Sequence, residues 1–489
     1  MKSISRVPLN AILMSSSQLI RAAIGFIFFI FLAQRLGPTD FGRYMFAFAL
    51  AEIFSIFGDF GLHEYSIREI ARRPEDLPRR LPGLLVLKTL LSSSSAVIML
   101  AILPLMGKDE ATSLAVAAFA LAQIGYSWFY ASTVAFAARQ DLHLQAFLWL
   151  LEKALFAAAG ASLLLAGRGL VAVALSNTAV QFAGGALAVL IAWRRYGPLA
   201  RSLAASDWVP WLRAALPFGL IVAFYLVYFR IDSVMISFIR GDVEVGQYNA
   251  AYNIISALLI IPAGLVAALF PKLAGMFDSP GDDIDAPFQK AARWLIAISL
   301  PLAVGGWLLA RPLIELLLGQ DYLPAVNALA VLSWTLPVWF VTFLQGNLLT
   351  IIERQKAVAA VGFINMTANV VLNLLVIPRY GFTGAAVTTL VTEAIGLMQM
   401  FYLLRRNISF RSTAATALRV ALVSAGLGLA VFLLRGSLPV LAVIAVTAAG
   451  YGAAVVGLGI IPAREIRGIF RREPETLEAS GIGPLDPGP

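Results

Sequence analysis

VAFYLVYFRIDSVMISFI, residues 222–239, has the length and composition of a membrane-spanning helix, yet it contains Arg230 and Asp232. A charged side chain at the centre of a bilayer costs roughly 3 kcal/mol on insertion scales, so such residues normally face protein or water. The run therefore predicts a helix that borders a polar interior within a larger membrane protein.

The composition of the whole chain agrees with this interpretation. The chain has 489 residues, of which 60% are hydrophobic and only 13% charged, whereas a soluble protein has about 25% charged residues. Apolar runs of about 20 residues recur along the chain, and they are continuous, unlike the alternating strands of a membrane barrel. We predict an all-α integral membrane protein with about 14 spans, numbered here span 1 to span 14. They lie near residues 11–34, 43–64, 83–106, 112–136, 145–166, 169–192, 213–239, 246–270, 290–310, 323–347, 357–377, 381–404, 415–434 and 438–461.

The basic residues predict the orientation in the membrane. With the N-terminus in the cytoplasm, about 25 of the 37 Lys and Arg residues fall in cytoplasmic loops and about 8 in outer ones, as the positive-inside rule requires. Both termini are then cytoplasmic. The stretch from Ser66 to Arg80 has helical spacing of Ile67 and Ile70 among charges and is expected to form a short surface helix that stops at Pro74.

Short motifs indicate an internal repeat. FGRY at 41–44 returns as VGQY at 245–248, ARQD at 138–141 as ERQK at 353–356, and RGL at 168–170 as RYGF at 379–382. The copies are six spans apart, an even number, so both have the same orientation in the membrane and a cleft is expected between them. We predict an N-terminal lobe at 1–205, a C-terminal lobe at 206–410, two added spans at 411–463, and a disordered cytoplasmic tail at 464–489.

Nine charged residues fall inside the predicted spans: Arg21, Glu52, Asp59, Lys88, Glu152, Lys153, Arg230, Asp232 and Glu393. Arg230 and Asp232 lie about 200° apart around a helix, so they cannot simply pair with each other. Arg21 and Arg230 lie on the first span of each repeat, and guanidinium groups suit phosphate because two donors bind two oxygens at once. They are candidate substrate-binding residues, with a purely structural role in locking helices together as the alternative.

The acidic and amide residues suggest a coupling ion. Glu52 and Asp59 are seven residues apart and share a helix face, so they could pair with the arginines or carry a proton or sodium ion. Asn365, Asn369 and Asn373 form a ladder on one face of span 11, which is typical of hydrogen bonding between membrane helices. Asp232, Glu393 and Asn369 complete the candidate coupling or cavity residues. Glu152 and Lys153 are interpreted as a structural pair with other helices, and Lys88, close to a helix end, as a side chain that snorkels to the surface.

Other classes of site find little support in the sequence. The chain has no cysteine, which excludes disulfides and thiolate chemistry. Its two histidines, His63 and His143, have no metal-ligand spacing around them, so we predict no metal site and no cofactor beyond a coupling H⁺ or Na⁺. The net charge of +9 follows the membrane topology, so no nucleic-acid partner is expected.

Three stretches carry a family resemblance: LAQRLGPTDFGRYMFAFAL at 32–50, FRIDSVMISFI at 229–239 followed by VGQYNAAYNI at 245–254 and LFPKL at 269–273, and NMTANVVLNLLVIPRYGFTGAAVTT at 365–389. To about residue 460 the chain resembles the polysaccharide transporter family, the Wzx-type oligosaccharide-lipid flippases of the multidrug/oligosaccharidyl-lipid/polysaccharide flippase superfamily. The resemblance implies two six-helix lobes around a central cavity, lined by spans 1, 2, 7 and 8, that opens alternately to each side.

The same resemblance implies the function. Such proteins move undecaprenyl-pyrophosphate-linked oligosaccharides across the inner membrane of bacteria or archaea for O-antigen, capsule or exopolysaccharide assembly. The expected partners are the lipid-linked substrate, membrane lipids, and a glycan polymerase with other assembly proteins. The chain is thus expected to be a transporter and not an enzyme.

Two alternative functions compete with this prediction. A cation-coupled multidrug or metabolite exporter would have the same architecture but substrates without a lipid tail. A membrane glycosyltransferase or polymerase would need a large extramembrane loop with carboxylates or a phosphate-cradling glycine motif, and the sequence has neither.

Overall fold

The computed structural model describes residues 6–196, 208–266 and 284–465, with side chains from residue 13 onward, and these are folded into helices and connecting turns without β-strands. The predicted lobe boundary at 205/206, the LFPKL motif and nearly all of the predicted tail lie outside these residues. The α-helices are α1 (Arg6–Asp59), α2 (Leu62–Arg72), α3 (Leu77–Ile102), α4 (Glu110–Ala138), α5 (Leu142–Leu165), α6 (Leu170–Tyr196), α7 (Trp208–Ile239), α8 (Asp242–Ala257), α9 (Asp285–Leu308), α10 (Ala310–Leu317), α11 (Val326–Ser333), α12 (Thr335–Ile351), α13 (Gln355–Leu404), α14 (Phe410–Leu434) and α15 (Val440–Gly457).

The number of membrane-spanning helices agrees with the prediction. Eleven helical segments of the described residues are long and apolar enough to cross a membrane, and a pair bent by 43°, Gln320–Ser333 with Thr335–Ile351, makes a twelfth. Two of these segments, in α1 and α13, are 47 and 50 residues long. Each is broken by a glycine with non-helical backbone angles, Gly37 in α1 and Gly381 in α13. Each therefore supplies two limbs that can cross a membrane, and fourteen spans result.

The backbone confirms the tandem repeat. Turns at corresponding places in the two halves hold a residue with positive φ, a region that favours glycine. The pairs are Gly37 (φ 70°) with Gly241 (96°), Gly107 (62°) with Gly319 (90°), Gln140 (56°) with Glu353 (58°), and Gly167 (74°) with Gly381 (57°). We call α1–α6 the N-lobe and α7–α13 the C-lobe, with α14 and α15 added outside the repeat.

Because successive spans alternate in direction, the turns collect at two ends of the bundle. The glycine end holds the turns at Gly37, Gly107, Gly167, Gly241, Gly319 and Gly381. The basic end lies opposite and holds the clusters Arg72-Arg73, Arg79-Arg80, Arg194-Arg195 and Arg405-Arg406.

The two lobes meet tightly at the glycine end. A Cβ atom built on Gly42 of α1 would overlap the carbonyl oxygen of Asp242, and one built on Gly246 of α8 would overlap that of Pro38. Lys108 of the N-lobe adds an ion pair, with its Nζ atom 2.9 Å from Asp242 Oδ1. These backbone contacts close the cleft between the lobes at this end.

At the basic end, the predicted short helix is present as α2. It ends at Arg72 before Pro74, and it buries Leu62, His63, Ser66 and Ile70 against the bundle. The Tyr65 ring packs edge-on against Trp211 of α7 with centroids 5.6 Å apart. The first turns of α7 therefore pack against the N-lobe, although α7 is the first helix of the C-lobe.

Candidate functional site

A cavity of about 400 Å³ lies between the N-lobe and α7. We call it the N-lobe cavity. Its walls come from the second limb of α1 (38–59), from α3, α4 and α6, and from residues 219–226 of α7. Its polar lining residues are Glu52, Ser55, Asp59, Lys88, Ser92, Gln123, Tyr126, Ser127, Tyr130, Asn177, Gln181 and Tyr225. Its volume falls within the range of about 300–1,000 Å³ that is usual for ligand pockets.

Arg230 joins the two lobes beside this cavity. Its guanidinium group on α7 forms an ion pair with Glu52 of α1 and lies 5.0 Å from the centre of the Phe48 ring. Both partners retain partial exposure, 22% for the Arg230 side chain and 31% for Glu52. A pair that is still accessible can exchange one partner for a ligand, which a fully buried pair resists.

The second acidic candidate, Asp59, lies nearer the basic end. Lys88 Nζ of α3 is 2.5 Å from Asp59 Oδ1, and the backbone N–H of His63 donates to Asp59 Oδ2. Lys88 is only 1% exposed. Its prediction as a snorkelling surface residue is therefore wrong, because a carboxylate one helix away holds the ammonium group inside the lobe. The His63 ring packs against the Tyr130 ring at an angle of 48°, with centroids 4.3 Å apart.

Arg21 lies in a different environment from Arg230. Its guanidinium carbon is 4.7 Å from the centre of the Trp149 ring on α5. One turn further along α5, Lys153 lies against Gly25 of α1, and Glu152 accepts a hydrogen bond of 2.9 Å from Gln181. In this conformation the two candidate arginines are held by different groups on different helices.

Asp232 lies inside the C-lobe and is 4% exposed. Its carboxylate accepts hydrogen bonds from Tyr248 (2.6 Å), Asn373 (2.6 Å) and Thr389 (3.0 Å). Among the described residues no Lys, Arg or His nitrogen lies within 4.0 Å of it. A carboxylate buried among hydroxyl and amide groups, without a cationic partner, is a candidate binding site for a proton or a small cation.

The asparagine ladder makes the predicted contacts between helices. Asn373 joins α13 to Asp232 of α7 and also donates to Asn369 Oδ1 at 3.1 Å. Glu393 lies on the second limb of α13 and accepts a 2.9 Å hydrogen bond from Tyr228. We call the cluster of Asp232, Tyr248, Asn369, Asn373, Thr389 and Glu393 the C-lobe polar core.

Tyr248 and Thr389 were missed as site residues. The signal was available in part: Tyr248 closes the VGQY copy of the repeat, and Thr389 lies in a run of small residues after Gly381. Their roles depend on the rotation of α8 and α13 about their axes, which the repeat alone does not specify.

A second cavity, of about 740 Å³, is almost wholly apolar. We call it the apolar cavity. It lies between the first limb of α1, α8, α9 and the two added helices α14 and α15, and Leu19, Ile254, Leu302, Val431 and Ile444 are among its lining residues. The predicted cavity spans are thus divided: spans 2 and 7 line the N-lobe cavity, and spans 1 and 8 line the apolar cavity.

Comparisons with known proteins agree with this architecture. A model of the polysaccharide biosynthesis protein family matches residues 9–277, and a model of the lipid II flippase MurJ family matches residues 211–456. "Probable flippase AglR" of Haloferax volcanii is 25% identical over 179 residues, 35% of this chain and 36% of that protein. A Shigella flexneri protein named as an O-antigen transporter is 23% identical over 192 residues, 39% of this chain and 44% of that protein. The chain thus spans less than half the length of these curated relatives.

A solved structure supports the fold over nearly the whole chain. The lipid II flippase MurJ in an inward closed conformation aligns with a TM-score of 0.76 at 13% identity, covering 92% of this chain and 100% of that one. At this identity the likeness establishes the arrangement of helices and not the substrate.

Proposed function

This chain belongs to the polysaccharide biosynthesis protein family, and on that premise we propose that it is a flippase for lipid-linked oligosaccharides. It would move undecaprenyl-pyrophosphate-linked units across the cytoplasmic membrane for surface polysaccharide assembly, by alternating access between its lobes. It would act as a transporter and not as an enzyme. The observation that carries this proposal is the partly exposed Arg230–Glu52 pair, which bridges the two lobes at the wall of the N-lobe cavity.

The pair suggests how a pyrophosphate head group is held. A guanidinium group binds two phosphate oxygens at once, and hydrogen bonds between charged groups contribute about 1.5–3 kcal/mol. The pyrophosphate would displace Glu52 from Arg230, and so loosen one link between the lobes. Arg21, which lies over Trp149 of α5, would be a second basic contact as the lobes move.

The two cavities suggest how one molecule can accommodate both a sugar and a lipid. The N-lobe cavity offers hydroxyl, amide and aromatic groups, and the apolar cavity offers aliphatic walls beside α14 and α15. The polyprenyl chain would remain in apolar surroundings while the head group crosses, so no polar group needs to enter lipid.

The C-lobe polar core is the proposed site of the coupling ion. Asp232 accepts three hydrogen bonds but has no cation, and the side-chain oxygen of its neighbour Asn373 is buried without a hydrogen-bond partner among the described residues. Binding of H⁺ or Na⁺ would neutralise Asp232. Asn369 and Glu393 belong to the same core, while Glu52 and Asp59 are already paired with basic residues.

We propose that the basic end faces the cytoplasm, with both termini on that side, because clusters of Arg and Lys are retained there during insertion. The glycine end would then face outward. A glycan polymerase and other assembly proteins are the expected partners on the outer side.

The test is deletion of the gene in its host, with lipid-linked oligosaccharide and surface glycan measured together. We expect surface glycan to be lost and the lipid-linked intermediate to accumulate on the cytoplasmic face. Wild type and Arg311→Ala, a control at an exposed surface pair, should restore export, whereas Arg230→Ala should reduce transport about 10- to 100-fold, the equivalent of one charged hydrogen bond.

One result would contradict the flippase function, and another would contradict only the role of Arg230. Normal surface glycan and normal intermediates in the deletion strain, together with increased drug sensitivity, would favour the multidrug or metabolite exporter. Full rescue by Arg230→Ala at wild-type protein level would leave the flippase function intact but remove Arg230 from the binding site.

A further inference from the structure

The N-lobe cavity is bounded by two ion pairs on one face of α1. Glu52 and Asp59 are seven residues apart, which is about 10 Å along a helix. Glu52 is paired with Arg230 and Asp59 with Lys88. The charged lining residues are Glu52, Asp59 and Lys88, and Arg230 lies beside them. Both cations of these pairs are held by a carboxylate, and Lys153 and Arg21 lie outside the lining, against Gly25 and Trp149.

The wall between the two pairs is rich in amide groups. Asn177 and Gln181 lie one turn apart on α6, so both side chains project from the same face. Asn177 makes no hydrogen bond to any described residue, while Gln181 donates one to Glu152 and Gln123 of α4 accepts one from Ser95 at 3.2 Å. The Gln123 NH₂ group finds only the Met99 sulfur at 3.6 Å, and a thioether is a weak acceptor. The cavity therefore presents amide donors and acceptors whose hydrogen-bonding capacity is largely unused.

Aromatic rings form the other lining surfaces. Tyr126 and Tyr130 of α4 have centroids 4.6 Å apart, and Tyr126 is 38% exposed. Across the cavity, Tyr225 of α7 is 59% exposed. The face of an aromatic ring carries partial negative charge, so it attracts the polarised C–H groups on one face of a sugar ring.

We propose that the N-lobe cavity is a glycan subsite that binds an uncharged sugar, with Asn177 as a specificity-determining residue. Ring hydroxyl or N-acetyl groups would hydrogen-bond to Asn177, Gln181 and Gln123, and the C–H face of the ring would lie on Tyr126. A sugar carboxylate would be disfavoured, because the lining would present Glu52 and Asp59 to it and its one cation, Lys88, is already paired. This inference rests on the proposed flippase function and specifies its substrate class.

The test compares three lipids with the full chain in nanodiscs. The probes are undecaprenyl pyrophosphate alone, the same carrier bearing N-acetylglucosamine, and the same carrier bearing glucuronic acid. The N-acetylglucosamine form should bind wild type more tightly than the bare carrier, and the glucuronic acid form should not. Leucine is close to asparagine in size. In Asn177→Leu, the increase in affinity that N-acetylglucosamine gives over the bare carrier should fall about 2- to 12-fold, the equivalent of one hydrogen bond. Binding of the bare carrier should not change.

A matched control is Asn347→Leu on α12, whose side chain bonds only to the carbonyl of Phe343 one turn earlier. It should bind all three probes as wild type does. Two results would overturn the glycan subsite and leave the flippase proposal standing. One is that N-acetylglucosamine increases the affinity of Asn177→Leu as much as that of wild type. The other is that wild type binds the glucuronic acid form as tightly as the N-acetylglucosamine form. If wild type bound none of the three lipids but bound tetraphenylphosphonium, the proposed function itself would fail, and the subsite with it.

Discussion

Arg230 and Asp232 are two residues apart, yet they serve different interfaces of the protein. Arg230 reaches out of the C-lobe to Glu52 of the N-lobe, and Asp232 turns into the C-lobe polar core. Their separation around the helix makes this possible, since side chains two apart cannot share a face. One short run thus connects the lobe contact with the proposed ion site, and α7 is the helix through which a cation could influence the cleft.

Replacement of Asp232 by Asn tests the ion site directly. A ligand that binds only the folded state stabilises it by RT ln(1 + [L]/Kd), about 2.7 kcal/mol at 100 times Kd. We expect the Tm of wild type in detergent to rise with NaCl relative to choline chloride, or with decreasing pH if the ion is H⁺. The Tm of Asp232→Asn should not respond, because its amide has no charge to neutralise.

The control is Glu315→Gln, at a surface pair with Arg311. Its Tm should follow that of wild type. An Asp232→Asn protein that responds to the cation as strongly as wild type does would place the coupling site elsewhere.

At this scale the sequence located the charged residues within the spans but not the groups that they contact. Arg230, Asp232 and Glu393 were identified because a charge within an apolar run is costly. The partners were not, because they depend on depth and helix rotation: Lys88 appeared to lie near a helix end, yet it is buried against Asp59. The roles of Arg21 and Arg230 in substrate binding stay predictions.

Two glycines control how closely the helices of the two lobes approach. Gly42 lies against the backbone of Asp242, and Gly246 lies against the backbone of Pro38. At neither contact is there room for a Cβ atom. Helices that touch through glycine bring their backbones together over a small area, and this packing is common between membrane helices.

Gly42→Ala should weaken closure at the glycine end. The added methyl group would overlap the carbonyl oxygen of Asp242, so the closed state should lose about 1–3 kcal/mol, the usual cost of overpacking. The chain has no cysteine, so spin labels can be attached at introduced cysteines alone. Thr39→Cys and Val243→Cys are suitable because both positions are exposed at this end, one in each lobe. Double electron–electron resonance between the two labels would report the distance between the lobes.

We expect a longer mean distance in Gly42→Ala than in the labelled wild type. Gly450→Ala on α15 is the control, since a Cβ atom there meets no heavy atom within 4 Å among the described residues. An unchanged distance distribution in Gly42→Ala would show that the contact does not limit closure.

The elements themselves were predictable because their length and hydropathy follow from the bilayer. The short helix before Pro74 and the number of spans were confirmed. One feature was not accessible to this reasoning. The glycine contacts between the lobes depend on tertiary packing that a hydropathy profile does not contain.

The molecule as a whole is closed at the glycine end, and its N-lobe cavity reaches towards the basic end. The lobes are joined at the glycine end by three kinds of contact: the glycine–backbone contacts, the Lys108–Asp242 ion pair, and a 2.8 Å hydrogen bond that Tyr322 donates to the Ala33 carbonyl. Alternating access would require these contacts to break together, because they lie on the same surface of contact.

Cross-linking across this surface should stop transport. With cysteines at Lys108→Cys and Asp242→Cys, a reducible bifunctional thiol reagent would hold the lobes together. We expect lipid-linked oligosaccharide transport in proteoliposomes to fall to background after cross-linking and to recover after reduction, while each single-cysteine variant stays active under the same treatment. Undiminished transport by the cross-linked protein would show that the lobes need not separate there.

The overall architecture followed from the sequence because the three motif pairs indicated both the repeat and the common orientation of its two copies. The division of the cleft into two cavities did not follow. The apolar cavity is bounded in part by α14 and α15, which lie outside the repeat and have no counterpart from which to infer their packing.

The contacts at the glycine end also bear on the evolutionary origin of the two lobes. Gly42 corresponds to Gly246 in the repeat, and Pro38 corresponds to Asp242 by the same offset. Gly42 on Asp242 and Gly246 on Pro38 are therefore one contact made twice, which is the signature of an isologous interface between identical subunits. The fused chain retains the geometry of a symmetric homodimer of six-helix units, although its two copies now hold different polar groups. Gene duplication and fusion would free each half to acquire its own polar groups, as the N-lobe cavity and the C-lobe polar core have.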